Sequence, residues 1–162
     1  MGMGLASGID VAENMVLKSF RTGAFSRGPL IARGRVINNA NALLEGYELR
    51  GGPTSLVGQL SGGNAQKVLL AREMASQPKV LVIAAPTRGL DVGVTETVRR
   101  LIAEAAEAGT AVVMISEDLD EVLDLADRIA VMSGGRITGI VEAEGADVEE
   151  IGLLMMGQER AA

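Results

Sequence analysis

Val80-Leu81-Val82-Ile83 is a continuous apolar run fenced by Pro78 and Pro86 and too short to form a helix of its own. A run of this kind between two breakers predicts a strand buried on both faces, as in the middle of a parallel sheet. A second run, Ala111–Ile115, follows it. Between the two, Val98, Leu101, Ile102 and Ala105 fall on one helical face, which Gly109 closes. Strand, helix and strand in that order predict a parallel crossover, so the chain is expected to be α/β from about Lys79 onward.

The flanking sequence extends this frame in both directions. Residues 11–18 and 30–45 carry helical but weakly apolar patterns, with Ser26-Arg27-Gly28-Pro29 separating them and Gly51-Gly52-Pro53 ending the second. Ser61 is a good helix N-cap, and Val68, Leu70, Ala71, Met74 and Ala75 recur at helical spacing until Pro78 stops the run. After Ile115, residues 118–126 predict a short helix and residues 129–132 a strand. Gly134-Gly135 predicts a two-residue hairpin into a strand over 136–141, and residues 148–156 a closing helix. The expected division is a helical subdomain over 1–78 and an α/β half over 79–162, without internal repeats.

Composition excludes several function classes. With 48% apolar residues against 22% charged in 162 residues, the chain can bury a core and is no disordered acidic tail. The only aromatic residues are Phe20, Phe25 and Tyr47, and the net charge is -6, which argues against nucleic-acid binding by stacked rings or surplus cations. There is no Cys and no His, so disulfides, thiolate metal ligands and Ser-His or Cys-His nucleophilic catalysis are all excluded. No apolar run approaches the roughly 20 residues needed to span a bilayer, and Met1-Gly2-Met3-Gly4-Leu5 lacks the features of a secretory signal. A cytosolic location is expected.

The segment with chemical potential is Leu60-Ser61-Gly62-Gly63-Asn64. It places a hydroxyl and two residues without side chains where a helix begins, so that backbone N–H groups and the positive helix end can face an anion. By itself the turn reads better as an ordinary N-cap with a flexible glycine pair than as an anion site.

The longer string is more specific. LSGGNAQK over residues 60–67, the apolar strand after Pro78, and Pro86-Thr87-Arg88-Gly89-Leu90-Asp91 resemble the signature segment, the Walker B strand and the D-loop of the ATP-binding cassette (ABC) ATPases, in that family's order and spacing. Residues 118–129 resemble the stretch after the family's switch loop, and Gly135-Arg136-Ile137 its late hairpin. Together with Val11-Ala12-Glu13-Asn14, the match is similar to the second cassette of sugar and nucleoside importers. The resemblance begins just after the family's Q-loop and implies a partial P-loop NTPase-like fold, a helical subdomain followed by a mainly parallel sheet with flanking helices.

Departures from the family pattern each remove a chemical role. The sequence has no Gly-Lys pair, so it holds no P-loop of the G-x-x-x-x-G-K-[ST] type; an in-frame Gly-Lys-Ser/Thr upstream would mark a longer protein. Ala84 and Ala85 stand where the family has an Asp for Mg²⁺ and a Glu for the attacking water, and a methyl group serves neither purpose. Their expected role is simply to pack at the end of a buried strand. Glu117 stands at the switch His and would repel a γ phosphate. Arg99, Arg100, Glu104 and Glu107 are expected on a solvated helix face, and Asp120, Glu121 and Asp124 on the surface.

In the family, two cassettes sandwich ATP head to tail, with the signature of one completing the site of the other. The resemblance therefore implies that Ser61, Gly62, Gly63 and Asn64 bind ATP in trans while the partner cassette holds the Mg²⁺. Gln66 helps orient the turn, and Asp91 crosses the interface. The expected function is that of an ATP-binding subunit, or part of one, of a sugar or nucleoside importer, inactive alone. Its expected seat is peripheral, at the inner face of the membrane, on permease subunits. The competing expectation is a non-catalytic interaction or regulatory module on a degenerate cassette fold. Because the sheet lacks inner members, exposed edges predict self-association or a rearrangement of the first sixty residues to cover the sheet.

Overall fold

The structure, a computed structural model, describes residues 4–158. Met1, Gly2 and Met3, which belong to the start read above, and residues 159–162 lie outside the described residues. The chain divides into two compact units, one of residues up to 81 with 86–112, the other of 82–85 with 113 onward.

In the first unit, α1 (Val11–Met15) opens on Asp10, whose side chain accepts the Glu13 N–H at 2.8 Å. The Glu13 carboxylate reaches back to the Asp10 N–H, completing a capping box. Buried Asn14 satisfies its amide on the Ala6 N–H and on the Ala6 and Asp10 carbonyls. Asp10 also accepts from Arg33 at 2.9 Å. Asp10→Ala removes the cap and one of the two carboxylates that pair with Arg33, the other being Glu13 at 3.1 Å. It is expected to cost about 1–2 kcal/mol, read as a lower urea midpoint at unchanged slope.

The expected 30–45 helix begins later, because Ser26–Arg27 (β1) and Leu30–Ile31 (β2) form a small antiparallel hairpin around Gly28-Pro29. The helix α2 then runs Arg33–Gly46. Gly28 takes a positive φ of 62° there, which turns the expected spacer into a chain reversal. The expected 11–18 helix likewise stops early, at Met15. A short 3₁₀ turn, Val57–Gln59, leads to α3 (Gly62–Met74), and α1, α2 and α3 share a core that includes Val11, Val36, Ala40 and Val68.

Helix α4 (Val92–Glu107) buries the predicted stripe, Val98, Leu101, Ile102 and Ala105. Gly109, at φ 95°, ends it with the Ala106 and Ala105 carbonyls capped by the Gly109 and Thr110 amides. Arg100 and Glu104 form an exposed i,i+4 ion pair, while Arg99 is half-buried.

Strands β3 (Val80–Ala84) and β4 (Ala111–Ile115) pair with each other. They run parallel, since the Ala111 N–H donates to the Lys79 carbonyl and the Ala85 N–H to the Ile115 carbonyl. The expectation that both runs are buried on both faces is corrected. Val82 is 67% exposed and Ile115 58%, and Val80 and Val113 are exposed too. The two strands form a sheet of two, and alternate side chains of each strand stand in solvent. A hydrophobic run records that both faces want cover, not that both have it. Ala84 and Ala85 do not pack as expected: Ala84 is exposed, and Ala85 is half-buried in a left-handed conformation at φ 46°.

In the second unit, α5 (Leu119–Leu125) is capped by Asp118. Strands β5 (Arg128–Ser133) and β6 (Arg136–Glu142) form the predicted hairpin, with Ser133 opposite Arg136 and both turn glycines at positive φ. Helix α6 (Val148–Met155) covers one face of this hairpin, burying Ile151 and Leu154 on Ile129, Val131 and Val141. Thr138 donates its hydroxyl to the Leu154 carbonyl at 2.9 Å. Among the described residues, no helix is long and apolar enough to cross a membrane.

Candidate functional site

The Leu60–Asn64 turn stands at the start of α3. Ser61 adopts the extended N-cap conformation, and its Oγ accepts the Asn64 N–H at 3.3 Å and the Asn64 side-chain amide at 3.2 Å. A hydroxyl that accepts twice still has its own proton to donate. The amides of Gly62 and Gly63, in the first helical turn, have no intrahelical acceptor. Ser61 and Gly62 are exposed, and Gly63 and Asn64 are half-buried. One side-chain hydroxyl, two open amides and the positive end of a 13-residue helix can together receive an anionic oxygen.

The turn is braced from behind. Asn64 Oδ1 accepts the Arg50 N–H at 3.2 Å, and the Lys67 ammonium, buried with its stem, donates to the Glu48 carbonyl at 3.2 Å. Neither Lys67 nor the buried Arg72 is visible to apolar periodicity. Both are long side chains whose methylene stems pack while the charged end finds an oxygen. Gln66 is half-buried one turn into α3.

Asp91 is exposed and caps α4, accepting the Val94 N–H at 3.0 Å. The structure brings the starts of α3 and α4 together: a Cβ placed on Gly63 would lie 2.9 Å from Val94 Cγ1. The Leu60–Asn64 turn and Asp91, far apart in sequence, thus belong to neighbouring helix starts.

In the other unit, Glu117 is exposed in a turn held by its neighbours. Ser116 donates its hydroxyl to Glu121 at 2.6 Å and accepts the Asp118 N–H at 3.1 Å, and Asp118 caps the Glu121 N–H at 3.1 Å. Glu121 is 1% exposed, which corrects its expected surface position, whereas Asp120 and Asp124 are exposed as expected. A carboxylate in the first turn of the helix folds back onto a serine that precedes the N-cap, and charge alone does not reveal this. Among the described residues, no group of three or more Asp or Glu side chains could hold a metal ion.

No family model matches the sequence. The chain is 43% identical over 157 residues to a glucose import ATP-binding protein of Haloferax volcanii, covering 95% of this chain and 28% of that protein. It is 39% identical over 155 residues to a nucleoside import ATP-binding protein of Lactococcus lactis, covering 95% and 31%. Against a ribose import ATP-binding protein of Rubrobacter xylanophilus it is 39% identical over 165 residues, covering 99% and 32%. The chain therefore spans roughly a third of the length of these curated relatives. Among solved structures it superimposes on a dimeric bacterial ABC transporter cassette with a TM-score of 0.70 at 26% identity, over 86% of this chain and 59% of that one. A dimeric cassette in a post-hydrolysis state, bound to ADP and Pi, gives a TM-score of 0.68 at 25% identity over the same shares.

Proposed function

Because this chain belongs to the ATP-binding cassette ATPases, we propose that it serves as ATP-binding machinery of a sugar or nucleoside importer, with its Leu60–Asn64 turn completing the ATP site of a partner cassette. The observation that carries this reading is the solvent-facing Ser61 cap with the open Gly62 and Gly63 amides, beside the Asp91-capped start of α4. Importer names among the relatives support the substrate class. ATP, gripped with Mg²⁺ by the partner, supplies the phosphoanhydride whose cleavage drives transport.

In this arrangement Ser61 donates its free proton, and Gly62 and Gly63 donate their amides, to an oxygen of the terminal phosphate. Asn64 fixes the serine rotamer through its two bonds to Oγ, and Gln66 supports the same helix start. These groups are ordered before any nucleotide arrives, so little reorganisation opposes binding. Asp91 reaches across to the partner. The chain's own positions for metal, water and phosphate chemistry, Ala84, Ala85 and Glu117, offer two methyl groups and an anion, so it does not hydrolyse ATP by itself. We assign the helical part, residues 1–78, to the signature and residues 79–162 to the remainder of the cassette. The protein sits peripherally at the inner membrane face through permease subunits.

The test is association with a complete cassette carrying an intact P-loop, measured with MgATP and with MgADP. Binding that requires MgATP supports the proposal; equal binding with both nucleotides supports instead the regulatory module suggested by Ala84, Ala85 and Glu117. The exposed Val82, Val113 and Ile115 side chains also predict self-association of the isolated chain. Sedimentation velocity is expected to give a mass that rises with concentration and that Val113→Lys lowers, whereas a concentration-independent monomer contradicts it.

A further inference from the structure

The glycine at position 63 is explained by packing as well as by phosphate access. A Cβ built there would lie 2.9 Å from Cγ1 of Val94, closer than real Cβ atoms approach, and 3.1 Å from its Cγ2 and 3.3 Å from its Cβ, both tighter than ordinary contact. The direction a side chain would take from Gly63 is thus filled by a residue of α4. Gly63 has no unusual backbone angle to account for its identity, since it is absent from the glycines with positive φ. Val94 is branched at Cβ and has little rotamer freedom in a helix, so it cannot swing aside without disturbing the first turn of α4.

Val94 makes a second contact with the opposite end of the site. Its N–H donates to Asp91 Oδ1 at 3.0 Å, the bond that caps α4. One residue therefore touches the signature turn with its side chain and the D-loop aspartate with its amide. We propose that Val94 is a positioning residue, a strut that holds the Ser61–Asn64 turn and Asp91 in one fixed relation so that both meet a partner cassette as a single unit. The mechanical coupling stands on the contacts alone; its functional consequence rests on the signature acting in trans.

Two measurements on the full chain separate these. In amide hydrogen exchange, Val94→Ala is expected to speed exchange of the Asn64 amide by about tenfold, although Val94 makes no bond to it, while Val68 deeper in α3 is unchanged. Gly63→Ala is expected to do the same by forcing the helix starts apart. The double variant Gly63→Ala/Val94→Ala, in which the new methyl occupies the emptied space, is expected to return Asn64 to within about threefold of wild type. Additive effects in the double variant, or an Asn64 amide indifferent to Val94→Ala, would overturn the strut.

In MgATP-dependent association with an intact-P-loop cassette, Val94→Ala is expected to weaken binding about tenfold at nearly unchanged thermal midpoint, and Val94→Ile to restore it. Unchanged association in Val94→Ala, with wild type binding normally, would overturn the positioning role. A wild type that shows no MgATP-dependent association, with exchange coupling present, would overturn the trans reading while the coupling of the two helix starts stands.

Discussion

Ser61→Arg is expected to abolish the contribution of this chain to a partner cassette's ATPase activity, lowering the rate of the mixed complex by on the order of 10²-fold, the usual loss when one preorganised donor to a developing or transferring anion is removed. The long guanidinium side chain would occupy the exposed mouth of the turn and block the Gly62 amide. Substitution also removes a helix cap worth about 1 kcal/mol, so loss of activity alone would leave the cause open. Ser61→Asp resolves it. Aspartate caps as well as serine does, accepts the Asn64 N–H in the same way, and places an anion where the phosphate must come. Its thermal midpoint is expected to equal that of wild type while its ATPase stimulation falls as far as in Ser61→Arg. A stable Ser61→Asp with full stimulation would show that the serine is only a cap.

The second large effect is expected in the core of the other unit. Leu154→Ala truncates a side chain 2% exposed at the centre of a small cluster formed with Ile129, Val131, Val141, Ala143 and Ile151. Its Cδ atoms fill the space over Gly139, where an added Cβ would lie 2.8 Å away, so the strand cannot close the hole by a small shift of side chains. Truncation is expected to cost about 3 kcal/mol, transfer and cavity together. That is a large share of the roughly 5–15 kcal/mol by which domains are stable. Urea unfolding followed by circular dichroism reads it as a lowered midpoint. A change below about 1 kcal/mol would mean that α6 is not seated on the hairpin as described.

How far the fold could be read from sequence depended on what each signal encodes. Periodicity placed α4 with its four buried residues and the Gly134-Gly135 hairpin, because helical spacing and positive-φ glycines are local properties. The same runs of Val, Leu and Ile could not say how many layers would cover β3 and β4, since cover comes from other segments, and Val82 and Ile115 stand exposed. The β1–β2 hairpin escaped because two residues per strand carry no period. At the site, Ser61 as a cap and the two glycines were legible from residue type alone. Lys67 on the Glu48 carbonyl, Glu121 on Ser116 and Val94 against Gly63 were not, because each is a contact between positions whose spacing follows from the tertiary fold or from a folded-back side chain.

Photo-cross-linking reads directly whether the Leu60–Asn64 turn touches a nucleotide held by another cassette. An intact-P-loop cassette is loaded with Mg²⁺ and an ATP analogue carrying a photoreactive group on its γ phosphate, mixed with the chain, irradiated and digested. The label is predicted on the peptide of this chain that contains Ser61, only when both proteins are present, and to vanish in Ser61→Arg. Label confined to the partner, with the two proteins in complex, would show that the turn lies away from the nucleotide.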